Sequence, residues 1–153
     1  MSALTREESS EDFVQLDRLI REFYRVICFE EGCAPDFERL TALFSQHARI
    51  TRITPEGIDH LDVEGFSALV RELLELGAFT SFYEHELKRS AHRYGRVFHI
   101  ASAYETKAAP DAIDYLERGV NSLQVLREQD GWRIVSLCWD SGSFEPDGRV
   151  MFN

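Results

Sequence analysis

The chain has 153 residues, 44% of them hydrophobic and 29% charged, with 17 basic against 27 acidic groups for a formal charge of −10. That length suits one domain with one core, and no run approaches the roughly 20 apolar residues of a membrane helix. The acidic balance repels phosphate backbones and anionic bilayers, so neither nucleic acid nor membrane is an expected partner.

Met1 to Asp12 is polar and acidic, without the basic start and apolar stretch of a secretion signal. Cys28, Cys33 and Cys138 are odd in number and match no CxxC spacing, which argues against a disulfide framework or a zinc site. Reduced thiols in the cytoplasm are expected. Residues 1–10 read as a frayed terminus, 11–141 as one domain and 142–153 as a tail.

From Glu11 to Glu31, Phe13, Leu16, Ile20, Phe23, Tyr24 and Ile27 recur at three- and four-residue spacing, which predicts an amphipathic helix capped at Ser9 or Ser10. Gly32 and Pro35 end it and open a shorter helix that buries Phe37, Leu40, Leu43 and Phe44. Ala48 to Thr54 reads as a short strand ending at the turn Pro55-Glu56-Gly57. A third helix follows, capped by Asp62, with Phe66, Leu69, Val70, Leu73 and Leu76 inward and Gly77 as its stop.

The remainder reads as sheet. Phe82 to Arg93 is expected to meet Val97 to Thr106 across a Tyr94-Gly95 turn, which sets His85 opposite Tyr104 and Leu87 opposite Ser102. Tyr83, His85, Leu87, Ala91, Phe98, Ile100, Ser102 and Tyr104 then share the apolar face, and Glu84, Glu86, Lys88, His92 and His99 the other. Tyr115 to Glu128 pairs with Trp132 to Asp140 through Gln129-Asp130-Gly131, with Asn121, Leu123, Val125, Val135, Leu137 and Trp139 on one side. The opposite side collects Ser122, Gln124, Ile134, Ser136 and Cys138. One apolar face needs helices over it, and the mixed face can accept a partner subunit.

This order of elements resembles the nuclear transport factor 2-like superfamily, and within it the SnoaL-like branch. The likeness spans about residues 11 to 141 and is clearest in Arg118-Gly119-Val120-Asn121-Ser122-Leu123-Gln124, in Asp130-Gly131-Trp132-Arg133-Ile134-Val135-Ser136 and in the pair Trp139-Asp140. It implies an α+β cone, three amino-terminal helices on a strongly bent antiparallel sheet with an internal pocket, commonly a homodimer through the sheet. Fold alone names no reaction, since the superfamily holds isomerases, dehydratases, cyclases and epoxide hydrolases beside transport and scaffolding modules.

Polar residues on the pocket-facing surfaces are the candidates: Tyr24, His85, Tyr104 and Asn121. An imidazole can move a proton at neutral pH and Tyr104 can orient it or serve an oxyanion, although a core histidine bonded to a tyrosine fits the same pattern. Tyr24 matches a helix-one tyrosine that helps hold an oxyanion in the ketosteroid isomerase relatives, but their first-strand carboxylate is replaced here by Arg49, Thr51, Arg52 and Thr54. Arg52 at the mouth can hold an anionic group; Trp139 and Asp140 complete the ligand-binding set. Glu84, Glu86 and Lys88 read as a solvated charge pattern, and His92 and His99 lack metal-ligand spacing. No cofactor or metal is expected. The expected ligand is a small hydrophobic molecule, turned over by a cofactor-free isomerase, dehydratase or cyclase through His85 and Tyr104. The alternative is a noncatalytic homodimeric module.

Overall fold

The computed structural model describes residues 6–30, 33–77 and 81–140, so the expected tail lies outside the described residues. Helix α1 spans Arg6–Ile27, so Ser9 and Ser10 lie within the helix rather than at its start. Its inward stripe, Leu16, Ile20, Phe23 and Tyr24, is buried as its spacing requires. Helix α2 is short, Phe37–Ala42, with the Asp36 carboxylate accepting from the Arg39 amide at 3.1 Å. Phe44 belongs instead to the first strand. Helix α3, Val63–Glu75, is capped by Asp62, which accepts from the Gly65 amide at 2.7 Å. It gives way at Gly77, whose φ of 70° suits a residue without a side chain.

Among the described residues six strands form one sheet: β1 Phe44–Thr54, β2 Gly57–Leu61, β3 Tyr83–Tyr94, β4 Val97–Lys107, β5 Glu117–Glu128 and β6 Gly131–Asp140, ordered β2-β1-β6-β5-β4-β3. β1 lies parallel to β6 while the other neighbours are antiparallel, so the sheet is mixed where an antiparallel one was expected. The two strands of the parallel pair are far apart in the chain, and no local turn signal encodes their relative direction. β2 escaped the sequence reading because it is a short, mostly exposed edge strand without an apolar face.

The core lies between α1 and one face of the sheet, where Ile50, Phe98, Ile100, Leu123, Val125, Ile134 and Leu137 are fully buried. Burying each such side chain contributes about 1.5–3 kcal/mol before entropy is subtracted. The start of α1 is fastened to the sheet by buried Asp12. It accepts from Arg127 Nη1 at 2.9 Å and Trp132 Nε1 at 3.3 Å and pairs with Arg93.

Both long hairpins depart from their expected register through β-bulges. The β3–β4 turn is Gly95-Arg96, since Tyr94 pairs with Val97, which slides the pairing without exchanging faces. Farther along, Glu86 pairs with Tyr104 but Lys88 with Ala103, leaving Leu87 as an extra residue. An odd insertion reverses the alternation. Below Leu87, Glu84 and Glu86 therefore face inward, and His85 lies opposite Glu105 rather than Tyr104. In β6 the same thing happens at Val135. Gln124 pairs with Ser136 and Val125 with Ile134, so Ile134 and Trp132 enter the core in place of Val135. Ser122 and Gln124 are exposed on the opposite face, as expected.

Candidate functional site

Between α1, α3 and the concave face of the sheet lies a cavity of about 260 Å³. Its walls are apolar: Phe23 and Ile27 from α1, Leu69 and Leu73 from α3, Leu137 and Trp139 from β6. Trp139 meets Phe66 edge to face, centroids 5.9 Å apart, which fixes the indole as a side wall. Among the described residues six polar ones interrupt this lining: Arg52, Glu84, Tyr104, Thr106, Glu117 and Asn121.

Glu84 is placed by the junction between α1 and β3. Phe29 and Phe82 exchange backbone hydrogen bonds at 3.0 and 2.9 Å, and the Cys28 sulfur accepts from the Glu84 amide at 3.3 Å while donating to the Tyr24 carbonyl at 3.1 Å. The end of the helix and the start of the strand thus hold each other. From there the Glu84 side chain reaches across β4 to β5, where Asn121 Nδ2 donates to its Oε2 at 3.3 Å.

Asn121 also donates to the Tyr24 hydroxyl at 3.1 Å, and that hydroxyl shares a 2.6 Å bond with Ser102 Oγ. Ser102 donates in turn to Glu86, whose charge is met by Arg89 at 2.7 Å. Tyr104 donates to Glu117 Oε1 at 2.6 Å. Its ring lies directly over Gly119 across the strand pair; a Cβ at position 119 would stand 2.5 Å from the Tyr104 oxygen and 2.7 Å from Cζ. Glycine there is what lets Tyr104 lie flat enough to reach Glu117.

The electrostatics separate the two inward glutamates. Glu86 has a cation at contact distance; Glu84 has an amide and a neighbouring carboxylate. Burial, reinforced by the negative charge of Glu117 and opposed by the Asn121 bond, pushes the Glu84 carboxyl up to about 8. Burial also raises the Tyr104 hydroxyl, and its bond to Glu117 raises it further. Tyr24 is raised by burial and by the charge of Glu84, against the pull of Ser102 and Asn121. Both tyrosines therefore remain neutral O–H groups at physiological pH. Burial likewise raises the Cys28 thiol, which leaves it protonated and unreactive.

The structure brings Tyr104, Asn121, Arg52 and Trp139 to the cavity, with Tyr24 behind the polar wall as the group that orients Asn121. His85 does not line the cavity: the bulge turns it to the other face, exposed, with Nε2 3.5 Å from Glu105. Asp140 is exposed at the end of β6, apart from the cavity. Sequence reasoning missed Glu84 and Glu117. The matching alternations Glu84-x-Glu86 and Tyr104-x-Thr106 would have revealed Glu84 had the extra residue been recognised. Its trace is the pair Leu87 and Lys88, two successive exposed residues in a strand that should alternate.

With this geometry in hand, the chain can be set beside known proteins. Neither a protein-family profile nor a curated protein matches it. Solved structures do. An NTF2-like protein with a cystatin-like fold from Novosphingobium aromaticivorans superposes with a TM-score of 0.68 at 15% identity, covering 94% of this chain and 89% of that one. The chain has the NTF2-like, cystatin-like fold. An NTF2-like protein of unknown function from Pseudomonas putida KT2440 gives 0.67 at 9% identity, with 91% of each chain covered. A protein of unknown function with a cystatin-like fold from Nostoc punctiforme gives 0.65 at 12%, covering 91% of this chain and 94% of that one. Likeness at these identities carries the NTF2-like fold and no branch within it.

Proposed function

We propose that the cavity binds a small, largely apolar molecule and that Glu84 moves a proton on it, a cofactor-free isomerisation or dehydration of the kind expected of the SnoaL-like branch. The observation that carries this reading is a carboxyl group inside an apolar cavity whose titration is displaced to about 8. A proton-transfer group works best when its pKa lies near the working pH, because both forms are then populated and neither transfer is steeply uphill. Protonated, Glu84 is a general acid; ionised, it is a base in a site from which apolar walls exclude most water.

Asn121 aims the carboxyl, with its own amide held by Tyr24. Tyr104 fixes Glu117, whose charge helps keep Glu84 protonated at neutral pH. The role expected for His85 and Tyr104 thereby passes to Glu84, with Tyr104 acting through Glu117.

Proton transfer to carbon can be tested without knowing the physiological substrate. Deuterium uptake at the α-carbons of small cyclic ketones in D₂O, followed by NMR, should be accelerated by the protein and should rise as pH passes through about 8, where the basic form of Glu84 accumulates. Glu84→Gln should lower that acceleration by about a hundredfold or more. Uptake no faster than in buffer, or unchanged in Glu84→Gln, would refute the reading.

A further inference from the structure

Arg52 enters the cavity from the side opposite to Glu84. On β1 it pairs with Asp59 of β2 and Trp139 of β6, and three strands, β6, β5 and β4, separate it from the strand that bears Glu84. Among the described residues it is the only cation in the lining. A guanidinium presents five N–H donors in a planar fork that matches a carboxylate. The acidic group nearest to it is Asp59, 3.6 Å from Nη1 and itself half exposed. That separation is well beyond the roughly 2.7–2.9 Å of a charge-assisted hydrogen bond. The Arg52 side chain is only 26% exposed. A mostly buried guanidinium paired only loosely with a half-exposed carboxylate, and set next to an indole wall, keeps donors for a charged group arriving from the cavity.

The polar lining is therefore divided into a cationic end on β1 and a proton-transfer end built from β3, β4 and β5, with Trp139, Phe66 and the leucines of α3 between. We propose that the ligand is a short apolar carboxylate, its anionic group held by Arg52, its hydrocarbon body along Trp139 and α3, and its reacting carbon at Glu84. This assignment rests on the reading of the cavity as a binding site and adds to it the class of molecule bound. The cavity volume of about 260 Å³ supports a short ligand, since sites for drug-sized molecules run to about 300–1,000 Å³. The chain's overall charge of −10 opposes anions at long range, so any preference for a carboxylate must come from a local cation, and among the described residues Arg52 is the one in the lining.

The test uses the neutral fluorophore N-phenyl-1-naphthylamine as a reporter of the cavity and displaces it with octanoate or 1-octanol at pH 6.5, where Glu84 is protonated. The full chain should bind the reporter and release it to octanoate at a concentration at least tenfold lower than to 1-octanol. Arg52→Gln should bring the two ligands to within about twofold by weakening octanoate alone, and Arg52→Lys should restore part of the preference; thermal melting of each variant checks that it is folded. A protein that takes up the reporter and 1-octanol but shows no preference for octanoate, or keeps its preference in folded Arg52→Gln, would overturn the Arg52 assignment and leave the cavity reading intact. Failure of wild-type protein to bind reporter, alcohol or carboxylate would overturn both.

Discussion

The hairpins β3–β4 and β5–β6 each contain one extra residue, and the same irregularity has opposite consequences in the two places. At Val135 the reversal exchanges one apolar residue for another, bringing Ile134 to the core and easing Val135 outward. At Leu87 it exchanges an imidazole for carboxylates, turning His85 out and Glu84 and Glu86 in. Where the residues that change places are both apolar, as Ile134 and Val135 are, a bulge changes packing. In a strand whose faces differ in polarity, it changes chemistry.

Substitutions on either side of each bulge sharpen that contrast. The largest effect is expected at the second hairpin: Ile134→Ala should cost about 2–5 kcal/mol in urea unfolding, and Val135→Ala less than about 1 kcal/mol. Equal costs at the two positions would mean that the Val135 bulge is absent in solution.

The first hairpin should respond to pH. The carboxyl of Glu84 titrates near 8 in the folded chain and near 4.5 in its reference state. The folded state therefore binds the proton more tightly, and its contribution is complete below about pH 4.5 and is lost as pH rises towards 8. Glu84→Gln should remove this slope, raising stability at pH 8 relative to pH 5 by roughly 2–4 kcal/mol compared with wild type. His85→Ala, at an exposed position, should keep the slope and shift stability by less than about 1 kcal/mol. A slope that follows His85 instead of Glu84 would restore the unbulged register.

The helices and the cap at Asp62 were legible because their signals are local: a 3.6-residue apolar period, a capping carboxylate and a glycine stop. So was the membership of the sheet's inward face in the regular part of the second hairpin, as with Asn121, Leu123, Leu137 and Trp139. Glu84 was not legible, because its direction depends on an insertion at Leu87 that carries no glycine, proline or other residue to mark it. The parallel pairing of β1 with β6 was hidden for a related reason: it is decided by the packing of distant segments. Arg52 could be located from its strand alone, and its position in the cavity follows from the same alternation that failed one hairpin later.

The hollow at Gly119 has a further consequence for how this site can vary. While a tyrosine occupies position 104, residue 119 cannot take on even a methyl group without dislodging the ring, so the two positions behave as a single heritable unit. A library randomised at both positions and selected for folded protein should return larger residues at 119 only in company with a smaller one at 104. Free assortment of the two would show that the ring has somewhere else to go.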